Sequence, residues 1–383
     1  MSEEENILVI TDQMSIREQL KEILSSYQSV QYLEPDETKK EIDRIAPDVV
    51  LLFRPEEDTS IDLVQYINSE YPDISIIFMN DREDFELLRD VMRAGAREFF
   101  VIPSELSLFS DRMKQISQFI QESKTEQVAA TNQNFKKGKG QVYSFFSGKG
   151  GSGNTFLASS FAQTLMLEST AQVILIDLNL QFGGIETFLG VESNRSFVEL
   201  EPVIEELNES HIRNVTEREK FSDLELLLSP RDAEAAESIT EDFVTRLIRA
   251  CRRSYDFVII DLPTSMTEVT YTALEESDKI YYVMNADTPS LQVFKHVELL
   301  FQRLNIDTNQ RLKLVVNQVG RDNELKTKDL KDFIKTPTET QIRRDFKGVQ
   351  SLINQGSPLR KERQEKKLLP IAKDIRKWVF SKI

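Results

Sequence analysis

Short apolar runs alternate with amphipathic segments along the first 120 residues. Four runs have the length of buried strands, at 7–10, 49–53, 74–79 and 98–102. The segments at 15–25, 62–70 and 84–94 carry apolar residues at three- and four-residue spacing, as amphipathic helices do. Parallel strands need such crossover helices. The pattern therefore predicts a doubly wound parallel sheet in residues 1–120.

The pattern changes twice in the remainder of the chain. Residues 121–140 are polar or small and end in KKGKG, which is typical of a linker. From residue 141 onward, apolar runs return at 142–146, 173–177, 257–261, 280–284 and 313–317, with helical segments between them. We therefore expect an α/β protein made of two doubly wound parallel-sheet domains, the second at 141–383.

Composition and charge exclude several classes of protein. The 383 residues include 48 Lys and Arg against 64 Asp and Glu, a formal net charge of −16, so nucleic acid is not an expected partner of the surface as a whole. One cysteine and two histidines do not provide a disulfide framework or a zinc site. The acidic N-terminus and the lack of a run of about 20 apolar residues favour a cytoplasmic location.

A glycine-rich segment, GKGGSGNT at 148–155, stands between an apolar strand and an apolar helix. Such a loop directs backbone N–H groups and a helix N-terminus at one point, which suits a polyphosphate. The P-loop pattern G-x-x-x-x-G-K-[ST] is met except that an asparagine occupies the lysine position. The candidate nucleotide-binding residues are Gly148, Lys149, Gly150, Gly151, Ser152, Gly153, Asn154 and Thr155.

Two carboxylates follow apolar runs in the same region. Asp177 closes VILID and Asp261 closes FVIID. In open α/β sheets ligands bind beyond the carboxyl ends of the strands, and Mg²⁺ binds one or two carboxylates together with phosphate oxygens. Thr155, Asp261 and Asp177 are therefore the candidate magnesium ligands, although each carboxylate alone would equally suit a helix cap or a turn.

The segment FSGKGGSGNT resembles the deviant Walker A motif K-G-G-x-G-K-[ST] of the ParA/MinD family. DLNLQFGG (177–184) is similar to its switch I, DLPTS (261–265) to its Walker B and switch II, and VVNQV (315–319) to its adenine-recognising strand end. The resemblance implies ATP and Mg²⁺ as cofactors and a homodimer across the nucleotide site. In that dimer Lys149 would contact the partner's phosphates, and Asn317 would bind adenine.

Two positions depart from the family pattern. Asn154 replaces the usual P-loop lysine, and Asn179 replaces the second aspartate of D-x-D, which the family uses to position water. The candidate catalytic positions are therefore Lys149, Asp177 and the degenerate Asn179. Because phosphoryl transfer depends on positioning and charge stabilisation, we expect nucleotide binding with weak or absent hydrolysis.

The N-terminal region resembles a response-regulator receiver domain without its chemistry. PDVVLLF (47–53) puts Phe53 at the phosphoacceptor position, Thr11 and Asp12 stand where an acidic pair would bind Mg²⁺, and Ile102 replaces the lysine before Pro103. A divergent receiver followed by a ParA/MinD-type ATPase is similar to the TadZ/CpaE family, which localises Flp/Tad pilus assembly machinery at the bacterial pole. The resemblance implies a dimerising localisation scaffold with Flp/Tad proteins as partners.

Two alternative functions and one question about the C-terminal helix stay open at this point. The chain could be an active ParA/MinD-type ATPase that cycles on DNA or membrane, or a structural protein with an empty nucleotide site. At the C-terminus, residues 371–383 place Ile371, Ile375 and Val379 on one helix face and basic residues on the other. That pattern suits either a helix docked on its own domain or a helix that binds a membrane surface.

Overall fold

The computed structural model divides the chain into two compact units, 1–134 and 135–383. It describes residues 6–27, 29–55, 59–71, 74–109, 111–114, 116, 140–181, 183–323, 325, 330, 333–363, 365 and 367–383. The linker predicted at 121–140 lies outside the described residues, apart from Gly140.

The first unit contains a five-stranded parallel sheet in the order β2-β1-β3-β4-β5, which confirms the predicted fold class. Its strands are β1 Asn6–Ile10, β2 Ser29–Leu33, β3 Val49–Phe53, β4 Ser75–Asn80 and β5 Glu98–Val101. Its described helices include α1 Met14–Ile23, α2 Thr38–Ile45, α3 Ser60–Glu70 and α4 Phe85–Ala94. This strand order is one of the two common doubly wound arrangements.

The carboxyl edge of this first sheet is closed by apolar side chains. Phe53 ends β3 and is 1% exposed, in the same apolar cluster as Ile102. Thr11 is buried after β1, while Asp12 is exposed. Among the described residues, no three His, Cys, Asp or Glu side chains are grouped to hold a metal ion.

The second unit contains an eight-stranded sheet in the order β13-β12-β11-β6-β10-β7-β9-β8. Its strands are β6 Gln141–Phe146, β7 Val173–Asp177, β8 Glu217–Arg218, β9 Glu225–Leu227, β10 Phe257–Asp261, β11 Lys279–Asn285, β12 Leu312–Val319 and β13 Thr338–Arg343. All pairs are parallel except β8 with β9, so the expectation of a wholly parallel sheet is corrected to a mixed sheet. Only six residues join these two strands, a connection too short for a parallel crossover.

Helices cover both faces of the second sheet. They are α5 Asn154–Glu168, α6 Ile185–Leu189, α7 Glu209–Val215, α8 Ala233–Ala236, α9 Glu241–Ser254, α10 Glu268–Glu275, α11 Thr288–Arg303, α12 Phe346–Asn354 and α13 Pro370–Val379, with a 3₁₀ segment at Phe197–Glu206. The first of them, α5, is buried on nearly all sides, its polar Ser159, Gln163 and Thr164 included, because the sheet covers one face and α13 covers another.

The C-terminal helix α13 is docked on its own unit. Ile371, Ile375, Trp378 and Val379 are buried, and the indole centroid of Trp378 lies 4.5 Å from that of Phe161. The apolar face is therefore part of the core. Of the two alternatives for this helix, the structure has the docked one, because the apolar face on which the membrane-binding alternative rested is buried.

The basic run at 359–367 is not uniformly solvated. Arg360 is fully buried, and its guanidinium lies 2.6 Å from the Glu168 carboxylate at the end of α5. The same carboxylate also forms an ion pair with Arg376 of α13, whose Nε lies 2.8 Å from Glu168 Oε1. No helix in the described part of the chain has the length and apolar composition needed to cross a membrane.

Candidate nucleotide-binding site

The glycine-rich loop connects the end of β6 to the start of α5 at the carboxyl edge of the sheet. Gly151 and Gly153 have φ of 76° and 89°, which glycine adopts without strain. A Cβ atom added at Gly150 or Gly151 would meet nothing within 4 Å, so this part of the loop borders open space. Because α5 begins at Asn154, its free N–H groups are directed toward the same space.

Tyr282 of β11 supports the first residue of the loop. Its hydroxyl accepts a hydrogen bond from the Gly148 N–H at 3.2 Å. A Cβ at Gly148 would lie 2.8 Å from Val297 and 2.9 Å from Val293, so the loop needs glycine there to pass against α11.

Asn154 directs its amide away from the open space and into the ends of two strands. Its Nδ2 donates to Phe145 O at 3.0 Å, to Asp261 Oδ1 at 2.9 Å and to Leu262 O at 3.1 Å. The amide therefore joins the loop to β6 and β10, and it places no charge at the lysine position of the P-loop pattern.

Asp261 and Thr155 lie together, as the sequence predicted for two of the magnesium ligands. Burial raises the pKa of Asp261 well above its ordinary value and the nearby Asp177 raises it further, while hydrogen bonds from Thr155 and Asn154 act in the opposite direction. Asp261 Oδ2 is buried and has no hydrogen-bond partner among the described atoms. A buried, unpartnered carboxylate oxygen beside a hydroxyl fits a magnesium ion.

Asp177 organises the segment that follows β7. Its carboxylate accepts the N–H groups of Asn179 at 3.0 Å, Gly184 at 3.0 Å and Ile185 at 3.5 Å. Burial raises the pKa of Asp177, these hydrogen bonds partly offset the increase, and the resulting pKa is about 6. One oxygen therefore binds the half-buried Asn179, and the other binds the backbone at Gly184 and Ile185.

Lys149 is bound by its own chain. Its Nζ lies 3.3 Å from Asp287 Oδ1 and 3.1 Å from Ser290 Oγ at the start of α11. Burial raises the pKa of Asp287, but hydrogen bonds from Ser290 and Lys149 outweigh it and leave the pKa below its ordinary value. Asp287 is not among the residues predicted from the sequence. Its one local signal is a helix-cap position, where its carboxylate accepts the Ser290 N–H at 2.7 Å.

Asn317 lies against the loop at the end of β12. Its Nδ2 donates to Ser152 O at 2.7 Å, and its Oδ1 is buried without a partner among the described atoms. The neighbouring Gln318 donates to Gly151 O at 3.4 Å. The structure thus brings the predicted base-contacting residue to the loop and leaves it one free acceptor.

Comparisons with known proteins agree with this architecture. Residues 140–314 match the protein-family model described as AAA domain. The septum site-determining protein MinD of Bacillus subtilis is 24% identical over 195 residues, which cover 51% of this chain and 70% of that protein. The virulence plasmid ParA family protein pGP5-D of Chlamydia psittaci is 25% identical over 255 residues, 63% of this chain and 96% of that protein.

Two solved structures share the fold of the second unit. A ParA family ATPase from Chlorobium tepidum superposes with a TM-score of 0.57 at 23% identity, covering 63% of this chain and 98% of that one. MinD from Pyrococcus horikoshii, solved in complex with Mg-ADP, gives a TM-score of 0.53 at 18% identity, covering 63% and 95%.

Proposed function

We propose that this chain, whose residues 140–314 form a P-loop domain of the ParA/MinD type, binds Mg·ATP and dimerises around it while hydrolysing it slowly or not at all. The observation that carries the proposal is the position of Asn154. Its amide is bound to Asp261 and two carbonyls, so the loop keeps its phosphate-binding backbone without the usual cation.

Nucleotide binding is supported by the backbone and by two side chains. The open space at Gly150 and Gly151 faces the N-terminus of α5, where N–H groups bind phosphate oxygens. Thr155 and the free Oδ2 of Asp261 would hold the magnesium ion, which neutralises phosphate charge when bound. The Pyrococcus relative was solved with Mg-ADP, in keeping with this assignment.

Base selectivity follows from the free acceptor of Asn317. One of the two Nδ2 hydrogens is bound to Ser152, so Oδ1 and the second Nδ2 hydrogen remain for a ligand. Such an amide pairs with the exocyclic amine and a neighbouring ring nitrogen of adenine, whereas guanine presents two acceptors on the same edge, and a site of this kind discriminates strongly. We therefore assign ATP rather than GTP as the nucleotide.

Slow hydrolysis follows from the charges that are missing. Neither Asn154 nor Asn179 is charged, and Lys149 is paired with Asp287 of its own chain. The developing charge of phosphoryl transfer is therefore left to Mg²⁺ and backbone N–H groups unless a second copy contributes its Lys149. In the proposed dimer Lys149 leaves Asp287 and contacts the partner's nucleotide.

The cellular role that we propose is that of a localisation scaffold for Flp/Tad pilus assembly at the cell pole. Its support is the order of the two units together with the closed carboxyl edge around Phe53, which leaves the first sheet no phosphoacceptor at that position. An active ATPase that cycles on DNA or membrane is the second candidate, because relatives named MinD and ParA share the P-loop region.

The test is a titration of the full chain with ATP at millimolar Mg²⁺, followed by calorimetry, native mass spectrometry and phosphate release. We expect binding heat and a nucleotide-dependent dimer with little phosphate, and GTP as the matched control should bind more weakly. Absence of binding would overturn the proposal in favour of an empty site. Turnover near 1 s⁻¹ or faster would support the cycling ATPase instead.

A further inference from the structure

A groove opens at the amino ends of β12 and β13, on the opposite edge of the sheet from the glycine-rich loop. It lies between β13 and α13 and has a volume of about 900 Å³. Its apolar lining includes Leu314, Ile334 and Trp378, each nearly buried, while the surrounding residues are polar. A concave, partly apolar depression of this size can accept side chains of a ligand.

Lysines gather around this groove in a chain whose net charge is −16. Lys335 and Lys377 line it, are exposed, and form no ion pair with any described carboxylate. The two carboxylates that also line it are already neutralised. Asp374 pairs with Arg343 at 2.7 Å, and Glu339 pairs with Lys382. The groove therefore presents an excess of positive charge.

Further lysines reinforce this positive charge. Lys279 begins β11, and its pKa is lowered by burial and then by the neighbouring Lys313 and Lys382, which outweigh the opposite effect of Glu339 and Asp278. Like charges held this close repel one another, and an anionic ligand relieves that repulsion. The groove and the charge pattern point to the same kind of occupant by independent observations.

We propose that this groove docks an acidic, extended segment of a partner protein, with an apolar side chain on the Leu314, Ile334 and Trp378 floor. A bilayer surface is too flat to reach a recessed floor, and a nucleic acid supplies phosphates for the lysines but no aliphatic side chain for the floor. A polypeptide supplies both carboxylates for the lysines and a side chain for the floor.

The adjacent strand is consistent with a segment lying along the groove. β13 is the last strand of the sheet, so its outer edge is unpaired among the described residues. A register shift between Leu314 and Val315 puts Glu339 in a bulge, which interrupts any continuous strand addition. Recognition therefore rests mainly on side chains, that is, on the two unpaired lysines and the apolar floor.

The experiment measures binding of a short fluorescein-labelled peptide to the full chain by anisotropy at physiological ionic strength. The peptide consists of Asp and Glu with a central Leu-Phe pair. We expect it to bind, and we expect Lys335→Glu with Lys377→Glu to weaken it about tenfold or more, because two attractions become repulsions. A matched control, Lys347→Glu with Lys367→Glu, changes the net charge equally at exposed lysines outside the groove and should have little effect.

Three results would overturn the proposal. The first is an equal loss of affinity in both double variants, which would indicate a general charge effect. The second is unchanged affinity when Leu-Phe in the peptide is replaced by Ser-Ser, because the floor would then play no part. The third is tighter, groove-dependent binding of oligodeoxythymidylate or phosphatidylglycerol vesicles than of the peptide. Circular dichroism and Trp378 fluorescence check that the variants fold.

Discussion

At the scale of single residues, the amide of Asn154 stabilises the loop without supplying charge. We expect Asn154→Lys to raise the rate of phosphate release, since one charge-stabilising contact is commonly worth about a hundredfold in rate. The ammonium would be placed near the phosphates, while the lost amide bonds to Phe145 and Leu262 limit the gain.

The double variant Asn154→Lys with Asn179→Asp tests whether the two missing charges act on the same activation barrier of hydrolysis. The double variant should exceed either single change in phosphate release at saturating ATP. If it binds ATP and stays inactive, the missing element lies elsewhere and the assignment of these two positions fails.

Lys149 and Asp287 provide a second residue-scale prediction. Lys149→Ala should weaken ATP-dependent dimerisation more than ATP binding by the monomer, because the trans contact exists only in the dimer. Asp287→Asn should instead strengthen ATP-dependent dimerisation. It keeps an acceptor for the Ser290 N–H but releases the Lys149 ammonium.

Analytical ultracentrifugation across an ATP series measures both variants. The trans role of Lys149 is contradicted if Lys149→Ala dimerises as wild type does at every ATP concentration. The restraining role of Asp287 is contradicted separately, by an Asp287→Asn variant whose association is unchanged.

At the scale of elements, the contact between α5 and α13 depends on one buried carboxylate. Glu168 receives both Arg360 and Arg376, and all but 2% of its side chain is buried. Glu168→Gln removes the counter-charge of Arg376 and one of the two counter-charges of Arg360, which keeps Glu365 at 3.3 Å, so the free energy of unfolding should fall by about 3 kcal/mol.

The single tryptophan, Trp378, lies in the contact between α5 and α13, so its fluorescence can follow this loss of stability. Urea unfolding followed by its fluorescence therefore monitors the second unit. Glu362→Gln, at an exposed neighbouring position, is the matched control and should change stability by less than about 0.5 kcal/mol. Equal midpoints for the two variants would show that the buried pairing contributes little.

The elements that sequence predicted well are those buried on both faces. The residues of β3, β7 and β10 form uninterrupted apolar runs, which identify central parallel strands. The strands β2, β8 and β13 lie at sheet edges with partly exposed residues and lack that signal, while β9 is buried but only three residues long, and all four were missed.

In the candidate site, the residues set by local sequence spacing could be predicted, and those distant in the chain could not. The glycine loop, Asp177 and Asp261 could be found because local spacing determines them. Asp287 and Tyr282 could not, since each contacts the loop from more than 130 residues away in the chain. The docking of α13 was left open because an apolar stripe does not specify which surface covers it.

At the scale of the whole molecule, the closed edge of the first unit predicts that the full chain does not accept a phosphoryl group from acetyl phosphate. The position expected for the acceptor is the buried Phe53, which has no nucleophile. Intact-mass measurement after incubation with acetyl phosphate and Mg²⁺ should show an unmodified chain. A phosphorylated aspartate near the end of β3 would contradict the assignment.

Each unit also has a hydrophobic core of its own, which makes the nucleotide site separable. Two apolar clusters lie within residues 142–379, and two others lie within residues 7–113. The side chains that hydrogen-bond the glycine-rich loop in the described structure belong to the second unit: Asp261, Tyr282, Asp287, Ser290, Asn317 and Gln318. The chain shortened to 135–383 should therefore bind ATP within about threefold of the full chain, since it keeps all of these residues. It should also dimerise with ATP if Lys149 makes the trans contact, because that contact needs only residues of this unit.

Calorimetry and ultracentrifugation of the shortened and full chains provide the measurement. Retained binding with lost dimerisation would assign the dimer contact to the first unit, and lost binding in a shortened chain with native Trp378 fluorescence would refute the separation of the site.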